Sequence, residues 1–353
     1  MSPSLRFPEF TGEWEYFSIN DVCSEFKSGK NIKADLISSN GNFPVYGGNG
    51  LRGYTSSYNH DGLYVLIGRQ GALCGNVRSV FGKIYITEHA IAVAGNEKSD
   101  TNFLHYLFLK MNLGQYSDQS AQPGLAVNKL LKLKVLLPSI SEQIKIAKLL
   151  SLLDERIAVQ NRLIEDLKKL RCAVSNKLFQ SVKGVAIPLS CISNIVKGKQ
   201  INGDFLADVG EYYVMNGGTD PSGYYDNYNV EANTISISEG GNSCGYVQFN
   251  RMPFWSGGHC YTIQDIVSDV ETLYLYHYLK SKEDSIMKLR IGTGLPNIQK
   301  KDLAEFKVII PAIEQQRTIS NILSLLERKT EVEGRMLIAM RTEKQYLIHQ
   351  MFI

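Results

Sequence analysis

The sequence predicts a mixed α+β protein: two tandem globular α/β domains separated by two long helices that form an antiparallel coiled-coil spacer, with pseudo-two-fold internal symmetry. Three observations predict it. The chain repeats itself once, at a shift of 170 to 173 residues. Each copy opens with a stretch dense in glycine, tyrosine, asparagine and short β-like runs, and closes with a long apolar pattern of helical period.

The repeat is clearest at residues 64–77, YVLIGRQGALCGNV, which align with residues 234–247, TISISEGGNSCGYV, at a shift of 170. The same shift lays Gly47-Gly48 on Gly217-Gly218, Cys74 on Cys244, His89 on His259 and Gly124-Leu125 on Gly294-Leu295. Beyond that point the shift is 173, matching Lys134-Val-Leu-Leu-Pro138 to Lys307-Val-Ile-Ile-Pro311 and Phe179 to Phe352. A period this long means a whole domain plus a helix, present twice. The expected division is a first globular domain over 1–139, a first spacer helix over 140–182, a second domain over 183–311 and a second helix over 312–353.

In each domain, Tyr64-Val-Leu-Ile67, Lys83-Ile-Tyr-Ile86 and Thr234-Ile-Ser-Ile-Ser238 read as strands between turns such as Tyr46-Gly-Gly-Asn-Gly50. Pro138 and Pro311 close the last strands. Ser139 and Glu142 have capping-box spacing, so the first helix begins there. Ile146, Leu150, Leu153, Ile157, Ile164 and Leu167 then recur at steps of four and three, apart from Gln160. The second copy supplies Ile319, Leu323, Leu326, Leu337 and Met340, with Thr330 and Glu333 as its polar members. From Ser141 to Val182 such a helix is roughly 60 Å long. A seam of that length exceeds what one small domain buries, so the two helices are expected to pack on each other.

Composition bounds the function. With 44% hydrophobic and 21% charged residues the chain reads as a soluble globular protein. No apolar run reaches the roughly 20 residues of a bilayer span, and Met1 to Pro8 has no signal-peptide core, so a cytoplasmic protein is expected. The six cysteines form no CxxC pair and read as reduced thiols, with no metal site. A net charge of +3 neither requires nor excludes a nucleic-acid partner.

The starts of the two long helices carry a resemblance. Residues 137–157, LPSISEQIKIAKLLSLLDERI, and residues 310–329, IPAIEQQRTISNILSLLERK, both resemble the type I restriction–modification specificity subunit, with its proline-bounded strand, Glu/Gln-Gln pair and leucine-rich spacer helix. The resemblance covers essentially the whole chain. It implies target recognition domains that each read one half of a split, asymmetric sequence in double-stranded DNA. It also implies two modification subunits that bind S-adenosylmethionine and methylate adenine, and a restriction subunit that uses ATP and magnesium where one is present. No cofactor is expected in this chain, and no catalysis. Physics agrees: two unlike readers on one rigid rod suit two unlike half-sites.

Catalytic motifs fail on context. Gly241-Asn-Ser-Cys-Gly245 matches a nucleophile elbow, but its repeat partner has Leu73 at the nucleophile position and a strand follows it. Gly48 to Gly53 matches GxGxxG without a preceding apolar strand or a following helix. No phosphate loop and no Asn-Pro-Pro-aromatic tetrapeptide is present, which argues against a motor or a self-contained methyltransferase.

The expected DNA contacts lie on glycine-rich loops. Arg69 and Gln70 suit guanine and adenine edges, Arg52 is a further candidate contact, and at equivalent places Glu239 accepts from cytosine beside Asn242. An ordinary salt bridge is the plain alternative for Arg69 and Glu239. Lys27, Lys30, Lys33, Lys197, Lys199 and Gln200 suit phosphates, or else are solvated loop residues. Asn128, Asn297, Lys300 and Lys301 are weaker candidates, and Tyr54, Tyr58, Tyr224, Tyr225 and Tyr228 line a groove-facing surface or pack. The alternative function is a non-catalytic coiled-coil scaffold whose domains bind protein or glycan.

Overall fold

The computed structural model describes residues 3–118, 123–292, 294 and 296–353. Met1, Ser2 and Leu295 lie outside the described residues. The chain forms two compact units, one of residues 1–161 with 335–353 and one of residues 162–334.

In the first unit a six-stranded sheet runs in the order Cys23–Ser28, Ala90–Gly95, His60–Gly68, Val77–Ile86, Phe43–Gly47, Gly50–Thr55. The period of two splits its apolar residues between two cores. Val65, Ile67, Ile91 and Val93 face the helix Thr101–Met111, while Leu66, Ala90 and Ala92 face Val80, Ile84 and Ile86. Asp100 caps that helix by accepting from the Phe103 N–H at 2.9 Å. A separate two-stranded sheet joins Glu15–Ser18 to Lys134–Leu137, directly before the first long helix.

The second unit repeats the plan with one break. Strands Asn194–Lys197, Cys260–Gln264, Thr234–Ser238 and Val247–Asn250 form one sheet; Tyr224–Tyr225, Tyr212–Met215 and Trp255–Ser256 form another. The ten-residue strand Val77–Ile86 of the first unit corresponds to two shorter ones here, either side of Arg251-Met252-Pro253. Pro253 has no N–H for the ladder, which accounts for the interruption. Lys307–Ile310 pairs with Val185–Pro188 ahead of the second long helix.

The long helices are Ile140–Ser181 and Ile313–Met351. They run antiparallel within the first unit, where Lys344 bonds Asp154 and Arg341 bonds Asn161 at 3.1 Å. Arg171 meets Glu327 at 3.1 Å within the second. Ile146, Leu150, Leu153, Ile164, Leu167, Ile319, Leu323 and Met340 of the seam are buried, and Ile157, Leu326 and Leu337 are half-buried. The start of each seam does more than meet the other helix: Ile146, Leu150 and Leu153 join the domain core around Phe103 and Leu107. The helix ends are also in the cores, Phe352 against Phe103 and Phe179 against Tyr274.

Two local readings change. The Glu142 carboxylate does not complete a capping box; it is 1% exposed and accepts from Nε and Nη2 of Arg6, each at 2.7 Å. The register of the repeat also shifts earlier than the sequence alignment placed it. Gly71 and Gly241 donate to Pro123 and Pro296, so Gly124 corresponds to Asn297 and not to Gly294.

A buried glutamine in the first turn of each long helix ties helix to domain. Gln143 donates to the carbonyls of Lys98 and Pro138 at 2.9 Å and accepts from the Asp100 N–H at 3.0 Å. Gln316 donates to Asp269 and Pro311 at 2.9 Å and accepts from the Glu271 N–H at 2.8 Å. Both side chains are fully buried, and each amide spends its hydrogen-bonding capacity on backbone groups of its domain.

Candidate nucleic-acid interface

The glycine loop between the paired strands has the same backbone frame in both domains. In the first, the Arg69 N–H donates to His89 O and the Leu125 N–H donates to Arg69 O, both at 2.9 Å. In the second, the Glu239 N–H donates to His259 O and the Ile298 N–H donates to Glu239 O, again at 2.9 Å. Gly71 at φ +84° and Gly241 at φ +77° make the same left-handed turn, which a side chain would strain. Cys74 and Cys244 each donate Sγ–H to the loop carbonyl, Arg69 O at 3.2 Å and Glu239 O at 3.0 Å. These thiols are packing residues of the turn, and burial raises the pKa of both. The GxSxG match is therefore a hairpin between two strands, without the strand-to-helix geometry of an elbow.

On this common frame the side chains diverge. In the first domain, Gln70 is exposed and joins Arg52 in a cleft of about 240 Å³ lined also by Gly48, Asn49 and His89. The Gln70 amide oxygen meets His89 Nδ1 at 2.9 Å, and Glu88 meets Nε2 at 3.1 Å. Arg69 itself is half-buried. Arg78, which the sequence reading did not single out, lies over Gly50; a Cβ there would stand 3.0 Å from its guanidinium carbon. Arg52, Arg69 and Arg78 make this face basic.

In the second domain the equivalent of Arg69 turns inward. Glu239 is 9% exposed; its Oε1 accepts from Lys197 Nζ at 2.7 Å and from the Tyr261 hydroxyl at 3.0 Å. Burial and then the Glu239 carboxylate raise the Tyr261 pKa, keeping the hydroxyl a donor. Lys197 remains half-exposed, and the exposed Lys199 and Gln200 follow it. Its repeat partner Lys27 is 68% exposed and sits 3.2 Å from Glu25, which also takes His60 at 2.9 Å.

The remaining candidates scatter. Lys30, Lys33 and Asn242 are exposed on loops, and Asn128 is exposed on the short helix Val127–Leu130. Lys300 and Lys301 open the helix Lys300–Ala304. Asn297 is half-buried and bridges Gly240 and Ile291 through its backbone. Of the tyrosines, Tyr54, Tyr224 and Tyr225 are half-buried, and Tyr58 and Tyr228 are more exposed. Sequence reasoning missed Asn49, Arg78, Asn216 and the two histidines as loop residues. The pairing of His89 with His259 at one shift was the available signal.

No helix of the described residues is long and apolar enough to cross a membrane, and among them no three His, Cys, Asp or Glu side chains gather as metal ligands.

Two copies of one frame, each presenting different side chains from a shared helical scaffold, define a class of tandem recognition protein. The chain belongs to the type I restriction–modification DNA specificity family, whose pattern it matches over residues 11–169 and 187–339. It is 45% identical over 154 residues to the EcoprrI specificity subunit of Escherichia coli, covering 42% of this chain and 38% of that one. A match to a putative type I specificity subunit of Mycoplasma pneumoniae is 31% identical and covers 46% of this chain and 44% of that one, so these two matches each span less than half of the relative. A putative type I specificity subunit of Mycoplasma genitalium is 23% identical over 100% of this chain and 97% of its own. The crystal structure of a type I restriction–modification S subunit from M. genitalium has the same fold, with a TM-score of 0.78 at 23% identity over 100% of this chain and 99% of that one.

Proposed function

We propose that this chain is the sequence-reading subunit of a type I restriction–modification enzyme, each domain reading one half of a bipartite, asymmetric DNA target. The observation that carries this is the glycine loop: an identical backbone frame, repeated, that offers Arg69 and Gln70 in one copy and Glu239 and Gly240 in the other. A protein that recognised one ligand twice would repeat the side chains along with the frame. In this reading Arg52, Gln70 and Arg69 address base edges; Lys27, Lys30, Lys33, Lys197, Lys199, Gln200, Lys300 and Lys301 hold phosphates; and Asn128, Asn242 and Asn297 flank the loops.

The helices do the reverse: one face keeps its apolar character at corresponding places in both copies. Leu149, Leu152, Val159, Met336 and Met340 line an open apolar groove of about 610 Å³ in the first unit. The positions 173 residues away are Ile322, Leu325, Val332, Leu163 and Leu167, of which all but Leu167 are exposed. One surface presented twice suits two copies of one partner. That partner is the modification subunit, which brings S-adenosylmethionine; a restriction subunit brings ATP and magnesium. This chain contributes recognition and spacing and performs no catalysis.

Methylation mapping of DNA from cells expressing this chain with its modification subunit tests the reading. A split asymmetric motif that appears only with this chain is expected, and Arg69→Ala abolishes one half of it while leaving folding intact. An assembled complex with no chain-dependent methylation overturns the proposal in favour of a scaffold that binds protein or glycan.

A further inference from the structure

We propose that His259 is a base-reading residue of the second domain, its Nε2 accepting from the exocyclic amino group of an adenine or a cytosine. The inference rests on the function proposed above and names a determinant within it.

The loop that carries His259 is fixed from both sides. Its carbonyl accepts from the Glu239 N–H at 2.9 Å, and its own N–H donates to Asn216 Oδ1 at 3.2 Å. Gly257 donates to Met215 O at 2.8 Å, and a Cβ on Gly258 would meet the Gln200 side chain at 2.4 Å. The turn is therefore built of backbone at close quarters, which lets a duplex approach it. The imidazole projects from it at 62% exposure.

Glu239 determines which nitrogen is free. Its Oε1 is occupied by Lys197 and Tyr261, whereas the buried Oε2 has no hydrogen-bond partner among the described residues. That oxygen lies 3.8 Å from His259 Nδ1. An anionic oxygen screened from water favours the tautomer with the proton on Nδ1, which leaves a lone pair on Nε2. In the first domain the corresponding Nε2 of His89 is occupied by Glu88. Gly258 stands at that place in the second, so the carboxylate has no counterpart there. An acceptor at a major-groove edge recognises the amino group of adenine N6 or cytosine N4. Glu239, read from sequence as a direct acceptor, becomes a positioning residue for the ring that covers it.

The test uses the full chain co-expressed with its modification subunit, with methylation mapping and duplex binding as readouts. Wild type should yield a split motif; if it yields none, the proposed function falls and this inference with it. His259→Ala should relax one base pair in the second domain's half-site and weaken binding of the cognate duplex about tenfold or more, with the first half-site unchanged. His259→Arg, a donor in place of an acceptor, should move the preference at that base pair to guanine. Glu239→Gln should weaken discrimination at the same position by less than His259→Ala does. Assembled variants that keep the wild-type motif overturn the proposal. So does a His259→Arg complex that loses affinity for all duplexes equally, since that behaviour belongs to a phosphate contact.

Discussion

The two halves of the molecule agree where their long helices begin and differ in their loops. Gln143 and Gln316 make three matching hydrogen bonds each, to backbone groups at corresponding places. Tyr106 donates to Asp154 beside Lys344 in the first unit, and Tyr276 donates to Glu327 beside Arg171 in the second. The carboxylates are 173 residues apart, as are the two cations, and the tyrosines, 170 apart, stand within one residue of the same place in their helices. The loops keep their backbone frame, the cysteine and the histidine, while Arg69 and Gln70 give way to Glu239 and Gly240. Where a helix is tied to its domain the side chains repeat; at the glycine loop the frame repeats while the polar side chains diverge.

The largest effect should come from the glutamines. Gln143→Leu leaves the Asp100 N–H and two carbonyls without partners, a cost of roughly 3–9 kcal/mol at about 1–3 kcal/mol for each group. Gln316→Leu should cost the same within about 1 kcal/mol, measured by denaturant unfolding. A large inequality would show that the two helix starts are not equivalent.

Next in size is the response to acid. His277 is buried and His105 half-buried beside their tyrosines, and desolvation lowers each pKa from 6.5 to about 4. The unfolded chain takes up a proton before the folded one does, so stability is complete above pH 6.5 and falls as pH drops towards 4. For His277, which is 6% exposed, the loss amounts to roughly 3 kcal/mol. Unfolding midpoints between pH 7 and 4.5 should fall less steeply in a His277→Asn variant. An unchanged slope would mean that His277 is hydrated in the folded protein.

The smallest effect separates the lysines. Lys27→Met and Lys197→Met should each reduce the slope of log binding constant against log salt by about 0.9. Only Lys197→Met should also lower stability, because it leaves the buried Glu239 carboxylate without its cation. Glu25 retains His60 when Lys27 is lost. Equal stability changes would erase this distinction between the readers.

Much of this was legible in the sequence. The repeat, the strands before Pro138 and Pro311 and the helix seam all follow from local pattern, and they occupy those places in the structure. Contacts between distant residues were not legible. Nothing near Glu142 announces that Arg6, 136 residues earlier, claims its carboxylate. Nothing near Glu239 indicates that Lys197 and Tyr261, 42 and 22 residues away, draw it inward. A charged residue beside glycine reads the same whether it faces a groove or a buried hydroxyl. The register change was hidden too, because Gly124-Leu125 and Gly294-Leu295 look alike while hydrogen bonding matches Gly124 with Asn297.

The buried glutamines carry one more consequence, concerning amide exchange. The N–H groups of Asp100 and Glu271 donate to a side chain on a different element, so each is protected only while that helix stays docked. Deuterium uptake at these two sites reports detachment of each long helix separately, even when neither helix has begun to unwind. One molecule thus contains two independent clocks for its own coming apart.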